Sequence, residues 1–170
     1  MSVRISAVVV DDVEALIALA RIVWQDAYAG IISQEQIDYM LGQRYNTARL
    51  LEELGSPEVW WDKAQVDGEL AAFASTLLTN VPGEMKLDKL YVDPLRQRHG
   101  LGALLIAHVS ERALAQGCHT LMLAVNKRNE RAITAYRKHG FVEREAVRVD
   151  IGNGFVMDDF IMSKSLSAGG

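Results

Sequence analysis

The amino-acid order predicts an α/β chain: a mixed sheet covered by helices. Three observations carry that prediction. Segments that are apolar at every second position alternate with segments that repeat every three to four residues, the two periods of strand and helix. One apolar run, "HTLMLAV" (119–125), is nearly continuous, as in a strand buried on both faces. The order is strand, two or three helices, three strands, helix, strand, helix, two strands, with no repeat, linker or low-complexity block. A chain of 170 residues is the length of one domain, expected over 1–166, with "SAGG" (167–170) as a flexible tail.

Taken in order, "VRISAVV" (3–9) alternates and is β-branched, so it reads as the first strand. Asp11 or Asp12 can cap a helix over Val13–Tyr28, because a short acceptor side chain satisfies free amides at a helix start. Ser33 opens a second short helix with Gln36 at the capping-box spacing, and Asn46 opens "NTARLLEEL". "EVWWDKAQV" and "ELAAFASTLL" flank Asp67-Gly68, a dipeptide that tolerates positive φ in a hairpin turn, and Trp60 and Trp61 then point to opposite faces. "MKLDKLYV" (85–92) is a strand stopped by Asp93-Pro94. Leu101, Leu104, Leu105, His108 and Arg112 fall at helical spacing in a helix over 101–116 that ends at Gly117. Asn129 opens a helix ending at His139-Gly140, and "FVEREAVRVDI", a Gly-Asn-Gly turn and "FVMDDFIMSKSL" close the chain as a hairpin.

Composition narrows the function. A 49 % hydrophobic and 24 % charged chain is ordinary globular material, and a net charge of −4 leaves no polybasic surface for nucleic acid. Mild acidity suits a small cationic substrate. The single cysteine, Cys118, excludes an internal disulfide framework and points to the reducing cytoplasm; placed before an apolar run, it reads as a buried, inert thiol. The first ten residues carry one arginine and reach Asp11 and Asp12 too soon for a signal peptide, and no apolar run approaches a membrane span. His99, His108, His119 and His139 are scattered with no Cys/His cluster, so no metal is expected.

The chemistry concentrates at "DPLRQRHGLGALL" (93–105), the joint between a strand and a helix. A glycine in a helix destabilises by up to ~1 kcal/mol relative to alanine, so two at a helix start imply close approach to the backbone. A helix N-terminus presents unpaired N–H groups and a positive dipole end, which suits phosphate. Gly100 and Gly102 would let a diphosphate rest on the peptide amides, with Arg98 and His99 as donors at the rim. A Walker loop needs Gly-Lys-Ser/Thr, which is absent; a dinucleotide fingerprint needs a small residue at 105, where Leu105 stands. The short coenzyme A loop, Gln/Arg-x-x-Gly-x-Gly/Ala, is satisfied by Gln97-Arg98-His99-Gly100-Leu101-Gly102. Downstream, Asn129 and Tyr136 stand seven apart on one helix, on the same face and about 10 Å apart along its axis. An asparagine cap and a tyrosine packed on the sheet would produce the same pattern.

From about Leu87 to Val142 the chain resembles the GCN5-related N-acetyltransferase (GNAT) family, through "LYVDP", "QRHGLG" and "NERAITAYRKHGF". The flanks "VWQDAYAGI", "QRYNTARLLEEL" and "DDFIMSKSL" extend the resemblance over most of the chain, toward its PaiA-type spermidine/spermine acetyltransferase branch. The resemblance implies a mostly antiparallel sheet splayed between its fourth and fifth strands, here 85–92 and 120–125. It implies acetyl-CoA as cosubstrate. The pantetheine arm would lie along Leu90, Tyr91 and Val92, and the pyrophosphate on the amides of Gln97, Arg98, His99, Gly100, Leu101, Gly102 and Ala103. Asn129 would meet the pantetheine arm and Tyr136 the sulfur. The implied reaction is direct attack by a primary amine of a small molecule, a polyamine in that branch, without an acyl-enzyme. A protein or peptide amine, or a non-catalytic acyl-CoA sensor, are the alternatives. A homodimer is expected from related enzymes and the closing hairpin.

That reaction needs an uncharged amine and help for the departing thiolate. A thiol has a pKa of ~8.5, a tyrosine ~10 and an alkylammonium ~10.4, so a Tyr136 hydroxyl can protonate the thiolate while the amine must lose a proton. Asp88 and Glu84 are the candidate proton acceptors. Strict alternation puts Asp88 on the face of Leu90 and Val92. Where many family members carry a glutamate, four residues before Leu90, this chain has Lys86. Pairing of Asp88 with Lys86 or Lys89 is the competing reading. Trp24 and Tyr28, one turn apart, offer an aromatic wall for a cation, and Asp159, beside Asp158, an anionic contact on the acceptor side.

Overall fold

A computed structural model describes residues 1–167; the rest of the expected tail lies outside the described residues. The elements in chain order are β1 (Val3–Ala7), α1 (Val13–Tyr28), α2 (Gln34–Arg44), α3 (Thr47–Leu54), β2 (Val59–Val66), β3 (Glu69–Leu78), β4 (Glu84–Val92), α4 (Leu101–Ala115), β5 (Thr120–Asn126), α5 (Glu130–Lys138), β6 (Val142–Gly152) and β7 (Phe155–Ser165). The strands form one sheet in the order β1-β2-β3-β4-β5-β7-β6. Every neighbouring pair is antiparallel except β4 and β5, which run parallel. That parallel pair is in register only at Glu84–Thr120, Met85–Leu121 and Lys86–Met122, after which the strands part.

Two apolar clusters sandwich the sheet. Leu101, Leu105 and Val109 of α4 pack on Met85, Leu87, Leu121 and Leu123. On the other face Leu16, Trp24, Ile37, Met40 and Leu50, from α1 to α3, pack on Trp61 and Phe73. Trp60 belongs to the first cluster and Trp61 to the second, as alternation along β2 requires. Under α4, His108 and Arg112 continue the inward stripe as its polar end: both reach the fully buried Asp62 of β2, His108 at 3.2 Å and Arg112 through both guanidinium nitrogens. Cys118 is buried, and burial pushes its thiol up, which suits an inert packing role. No helix among the described residues is long and apolar enough to cross a membrane.

The predicted local signals are largely realised. The Ser33 hydroxyl accepts from the Gln36 amide at 3.1 Å, Asn46 from Arg49 at 2.8 Å and Asn129 from Ala132 at 3.2 Å. Asp67 and Gly68 turn the β2–β3 hairpin at φ 50° and 84°. Two details differ. A short 3-10 turn over Val10–Asp12 precedes α1, and Asp12 stands at the N-cap position without a side-chain capping bond; its carboxylate instead accepts from the Val9 amide at 2.8 Å and meets Lys63 at 2.7 Å. The capping box at Ser33 is one-sided, because the Gln36 side chain crosses to the Val156 carbonyl at 3.1 Å.

That crossing is half of a latch. The Tyr39 hydroxyl donates to the Ile151 carbonyl at 2.9 Å, so α2 is tied to the β6–β7 turn at two points. Gly152 sits under the latch at φ +92°, where a Cβ would stand 2.7 Å from the Tyr39 hydroxyl. Gly154, at φ +79°, has nothing near its absent Cβ. Gly152→Ala should therefore lower Tm by about 4–12 °C, and more than Gly154→Ala, since strain and clash add up to a few kcal/mol. Thermal unfolding of both variants checks this. Tyr39→Phe in the Gly152→Ala background should recover part of the loss.

Candidate active site

Where β4 and β5 part, a cavity of about 440 Å³ opens between Leu87–Val92 of β4, the loop at 96–98, the first turn of α4, Ala124 and Val125 of β5, and Asn129 and Tyr136 at the two ends of α5. A second cavity of about 210 Å³ lies toward α1, α2 and the closing hairpin, lined by Trp24, Tyr28, Arg44, Lys86, Asp88, Tyr91, Asn126 and Asp159 among others. Tyr28, Asp88, Tyr91 and Ala124 line both, so the two cavities meet at the slit in the sheet. Ala124 is the only exposed residue of β5, because the strand that would cover it has turned away.

The larger cavity is edged with unused backbone donors. None of the amides of residues 97–103 donates to a protein acceptor among the described residues, and the first helical bond is Leu104 N–H to the Gly100 carbonyl at 3.0 Å. Arg98 and Gly100 are both left-handed, at φ 72° and 73°, and such alternation turns successive amides toward one side. Gly102 has ordinary helical φ, and a Cβ built on it meets nothing within 4 Å. The protein itself therefore has no steric need for glycine at 102; the bare backbone leaves room for a ligand. Beyond Lys86 the β5-facing edge of β4 has no ladder partner, which leaves strand groups near Leu90 and Val92 open to the cavity. Asn129 uses its carbonyl oxygen on the helix cap and keeps its NH₂ as a donor. Tyr136 is half-buried with its ring 5.6 Å from Phe141, and burial pushes its hydroxyl well above the ordinary tyrosine value, so it carries its proton at neutral pH.

The carboxylates need corrections. The β3–β4 register steps from Ser75–Lys89 to Thr76–Leu87, so Asp88 is the extra residue of a β-bulge. Strict alternation fails there. Leu87, Leu90 and Val92 all join the cluster under α4, while Tyr91 packs on Phe73 in the other cluster and Lys89 lies 5.1 Å from the Trp61 ring centroid. Asp88 thus does not share the face of Leu90 and Val92. Its carboxylate meets Lys89 at 2.6 Å and Lys86 at 3.6 Å. Burial opposes its ionisation, but Lys89, Lys86 and Arg44 outweigh that and hold the carboxyl below its ordinary value. Asp88 is a fixed anion and a weak proton acceptor. Glu84 lies at the closed end of β4, opposite Thr120, bound to Arg144 at 3.0 Å; it lines neither cavity. His99 is exposed and lines neither cavity.

Trp24 is 2 % exposed, donates to the Tyr45 hydroxyl at 3.1 Å and walls the smaller cavity. The Tyr28 and Tyr91 hydroxyls are 2.8 Å apart at the slit. The two adjacent aspartates of β7 separate here. Asp158 is half-exposed and paired with Lys127 at 2.8 Å. Asp159 is 6 % exposed, lines the smaller cavity and has an Oδ1 with no hydrogen-bond partner among the described residues. Burial raises its carboxyl above the ordinary value despite Arg44. Arg44, inside the flank "QRYNTARLLEEL", and Asn126 also stand in that wall, though no local signal gives either a role; the packing of α2 against the hairpin brings Arg44 there.

Comparison with known proteins agrees with this geometry. The model of the acetyltransferase (GNAT) family matches residues 15–141. A spermidine N(1)-acetyltransferase from Thermoplasma acidophilum is 28 % identical over 168 residues, covering 96 % of this chain and 98 % of the relative. A ribosomal protein bS18-alanine N-acetyltransferase from Salmonella typhimurium is 40 % identical over 81 residues, 48 % of this chain and 53 % of the relative. The crystal structure of a PaiA N-acetyltransferase from Thermoplasma acidophilum in complex with coenzyme A superposes with a TM-score of 0.85 at 27 % identity, over 97 % of this chain and 99 % of that one.

A buried, unpartnered carboxylate burdens the ligand-free fold. Its folded-state pKa is raised, so the penalty grows as the pH rises above the unfolded value of ~3.9 and vanishes below it, where both states hold the proton. Asp159→Asn should raise Tm at neutral pH by about 2–8 °C, and the gain should close as the pH approaches 4. Thermal unfolding across pH checks both halves.

Proposed function

The chain belongs to the acetyltransferase (GNAT) family, and on that premise we propose that residues 1–166 transfer an acetyl group from acetyl-CoA to a primary amine of a small molecule. The observation that carries this is the row of unpaired amides at 97–103 at the mouth of the larger cavity, a fitting cradle for a diphosphate. Acetyl-CoA supplies an activated thioester; the protein supplies position and protons. In this reading the amides of Gln97, Arg98, His99, Gly100, Leu101, Gly102 and Ala103 hold the pyrophosphate, and the open edge at Leu90, Tyr91 and Val92, with the Asn129 NH₂, holds the pantetheine arm. An amide of that same edge can also meet the thioester oxygen and stabilise charge that builds there. Tyr136, kept protonated by burial, donates to the departing thiolate.

The acceptor enters through the smaller cavity and reaches the thioester at the slit where Tyr28, Asp88, Tyr91 and Ala124 serve both spaces. Proton removal falls to Asp159, whose raised pKa and open Oδ1 suit it better than Asp88, committed to Lys89. A protein amine is the second reading, and the bS18-alanine relative is its support. The latch from Tyr39 and Gln36 fixes α2 to the hairpin whose Ile151 and Met157 line the smaller cavity, and the volume of about 210 Å³ favours a small molecule. The spermidine-named relative makes polyamines the reference acceptors for assay.

Thiol release from acetyl-CoA in the presence of amines tests the proposal; binding of coenzyme A with no release on any amine would leave only a sensor. Tyr136→Phe should lower kcat about 10²-fold while coenzyme A affinity stays within about twofold. Unchanged turnover would remove Tyr136 from the chemistry. Gly102→Ala should keep or raise Tm, since alanine favours the helix by up to ~1 kcal/mol, yet weaken coenzyme A about tenfold or more by calorimetry. Retained affinity would mean that the loop does not hold the diphosphate.

A further inference from the structure

The smaller cavity carries two cations and two anions, Arg44, Lys86, Asp88 and Asp159, and they are unequally engaged. Asp88 is committed to Lys89, whose side chain is only 4 % exposed, and it also faces Lys86 across 3.6 Å. Lys89 in turn stands over the Tyr45 and Trp61 rings, so solvent does not loosen that pair. Arg44, in the last turn of α2, enters none of the ion pairs among the described residues. Asp159 is nine-tenths buried with its Oδ1 unpartnered. Its charge reaches Tyr28, one of the residues at the slit. What remains for a ligand is one carboxylate beside the slit and one guanidinium, with the Lys86 ammonium loosely held.

We propose that the acceptor is a small amine that also carries a carboxylate or similar anion, its amine directed to Asp159 and its anion to Arg44 and Lys86. This rests on the acetyltransferase reading of the same site. A polyamine is a poorer match. Each ammonium beyond the reacting one needs its own anionic partner, and here it would meet two cations in a partly enclosed cavity, where like charges repel strongly. A zwitterion complements both poles, and the planar fork of Arg44 suits a two-pronged carboxylate contact. Besides the charged groups and the polar tips of Trp24, Tyr28, Tyr91 and Asn126, the lining includes Val147, Val149, Ile151, Met157 and Ile161, so an aliphatic or aromatic linker fits it. The latch fixes α2 to the hairpin that carries Asp159, which holds the two poles at a set separation.

The test is thiol release from acetyl-CoA with matched amines: diamines, amino alcohols and ω-aminocarboxylates of equal chain length from three to six carbons, with α-amino acids, spermidine and a short peptide added. The expected result is an aminocarboxylate whose kcat/KM exceeds that of the diamine of equal length by about tenfold or more. Arg44→Gln should shift that ratio toward the diamine by about 10–100-fold, through KM for the acceptor, and Arg44→Lys should restore part of it, with KM for acetyl-CoA unmoved. Diamines, spermidine or the peptide preferred throughout, or a ratio indifferent to Arg44→Gln, would overturn the inference while leaving the acetyltransferase reading intact. No release with any amine would overturn that reading and the inference together.

Discussion

β4 and β5 stay paired for three residues and then separate, and the rest of the molecule is organised around that parting. A sheet interrupted at its centre forfeits ladder hydrogen bonds, and an open strand edge left in the interior is costly unless something else meets it. Here the helices cover both faces, while the slit keeps backbone groups of β4 and the first amides of α4 turned into one space. The two cavities are the two sides of that slit. The bulge at Asp88 lies at the same place: it shifts the phase of β4 just where the strand leaves its partner, so Lys89 and Tyr91 face the cluster of Trp61 and Phe73 while Leu90 and Val92 face the cluster under α4.

Around the slit the polar groups are held in sharply different states, and burial sets most of them. Tyr28, Tyr91 and Tyr136 are all pushed above the ordinary tyrosine value by burial, so the slit is lined with phenols that keep their protons. Asp88 is held ionised by its lysines, and Asp159 is left without such a partner. An N-acyl transfer needs one group that gives a proton and another that takes one; burial raises both Tyr136 and Asp159, which keeps a proton on the phenol and makes Asp159 a better acceptor than the lysine-held Asp88. The unpaired carboxylate is also the clearest case of the folded state carrying a burden that only a ligand relieves.

Much of this was legible in the residues because the signals are local. Ser33, Asn46 and Asn129 cap helices within three residues of themselves, and Asp67-Gly68 turns its hairpin unaided. The loop from Gln97 to Gly102 is equally local, and its amides are free as the two glycines imply. What the sequence could not show depends on distant partners. The bulge is a property of the β3–β4 register, so the side assigned to Asp88 by alternation was wrong. Glu84 is claimed by Arg144, sixty positions away, and Asp12 by Lys63, fifty-one away. Asp158 and Asp159 carry the same group, and the sheet decides that Asp159 enters the smaller cavity while Asp158 pairs with Lys127. Arg44 ends an unremarkable helix, and its place in the smaller cavity is set by Tyr39 and Gln36 reaching the closing hairpin.

The account turns on whether the amides at the start of α4 are the ligand's contacts. Backbone amide NMR of the protein titrated with coenzyme A reads those groups one by one. The account predicts large shifts and slowed hydrogen exchange at Gly100, Leu101, Gly102 and Ala103, with smaller changes at Leu90 and Val92. Binding that leaves those amides unshifted, with the changes gathered elsewhere on the surface, would contradict it.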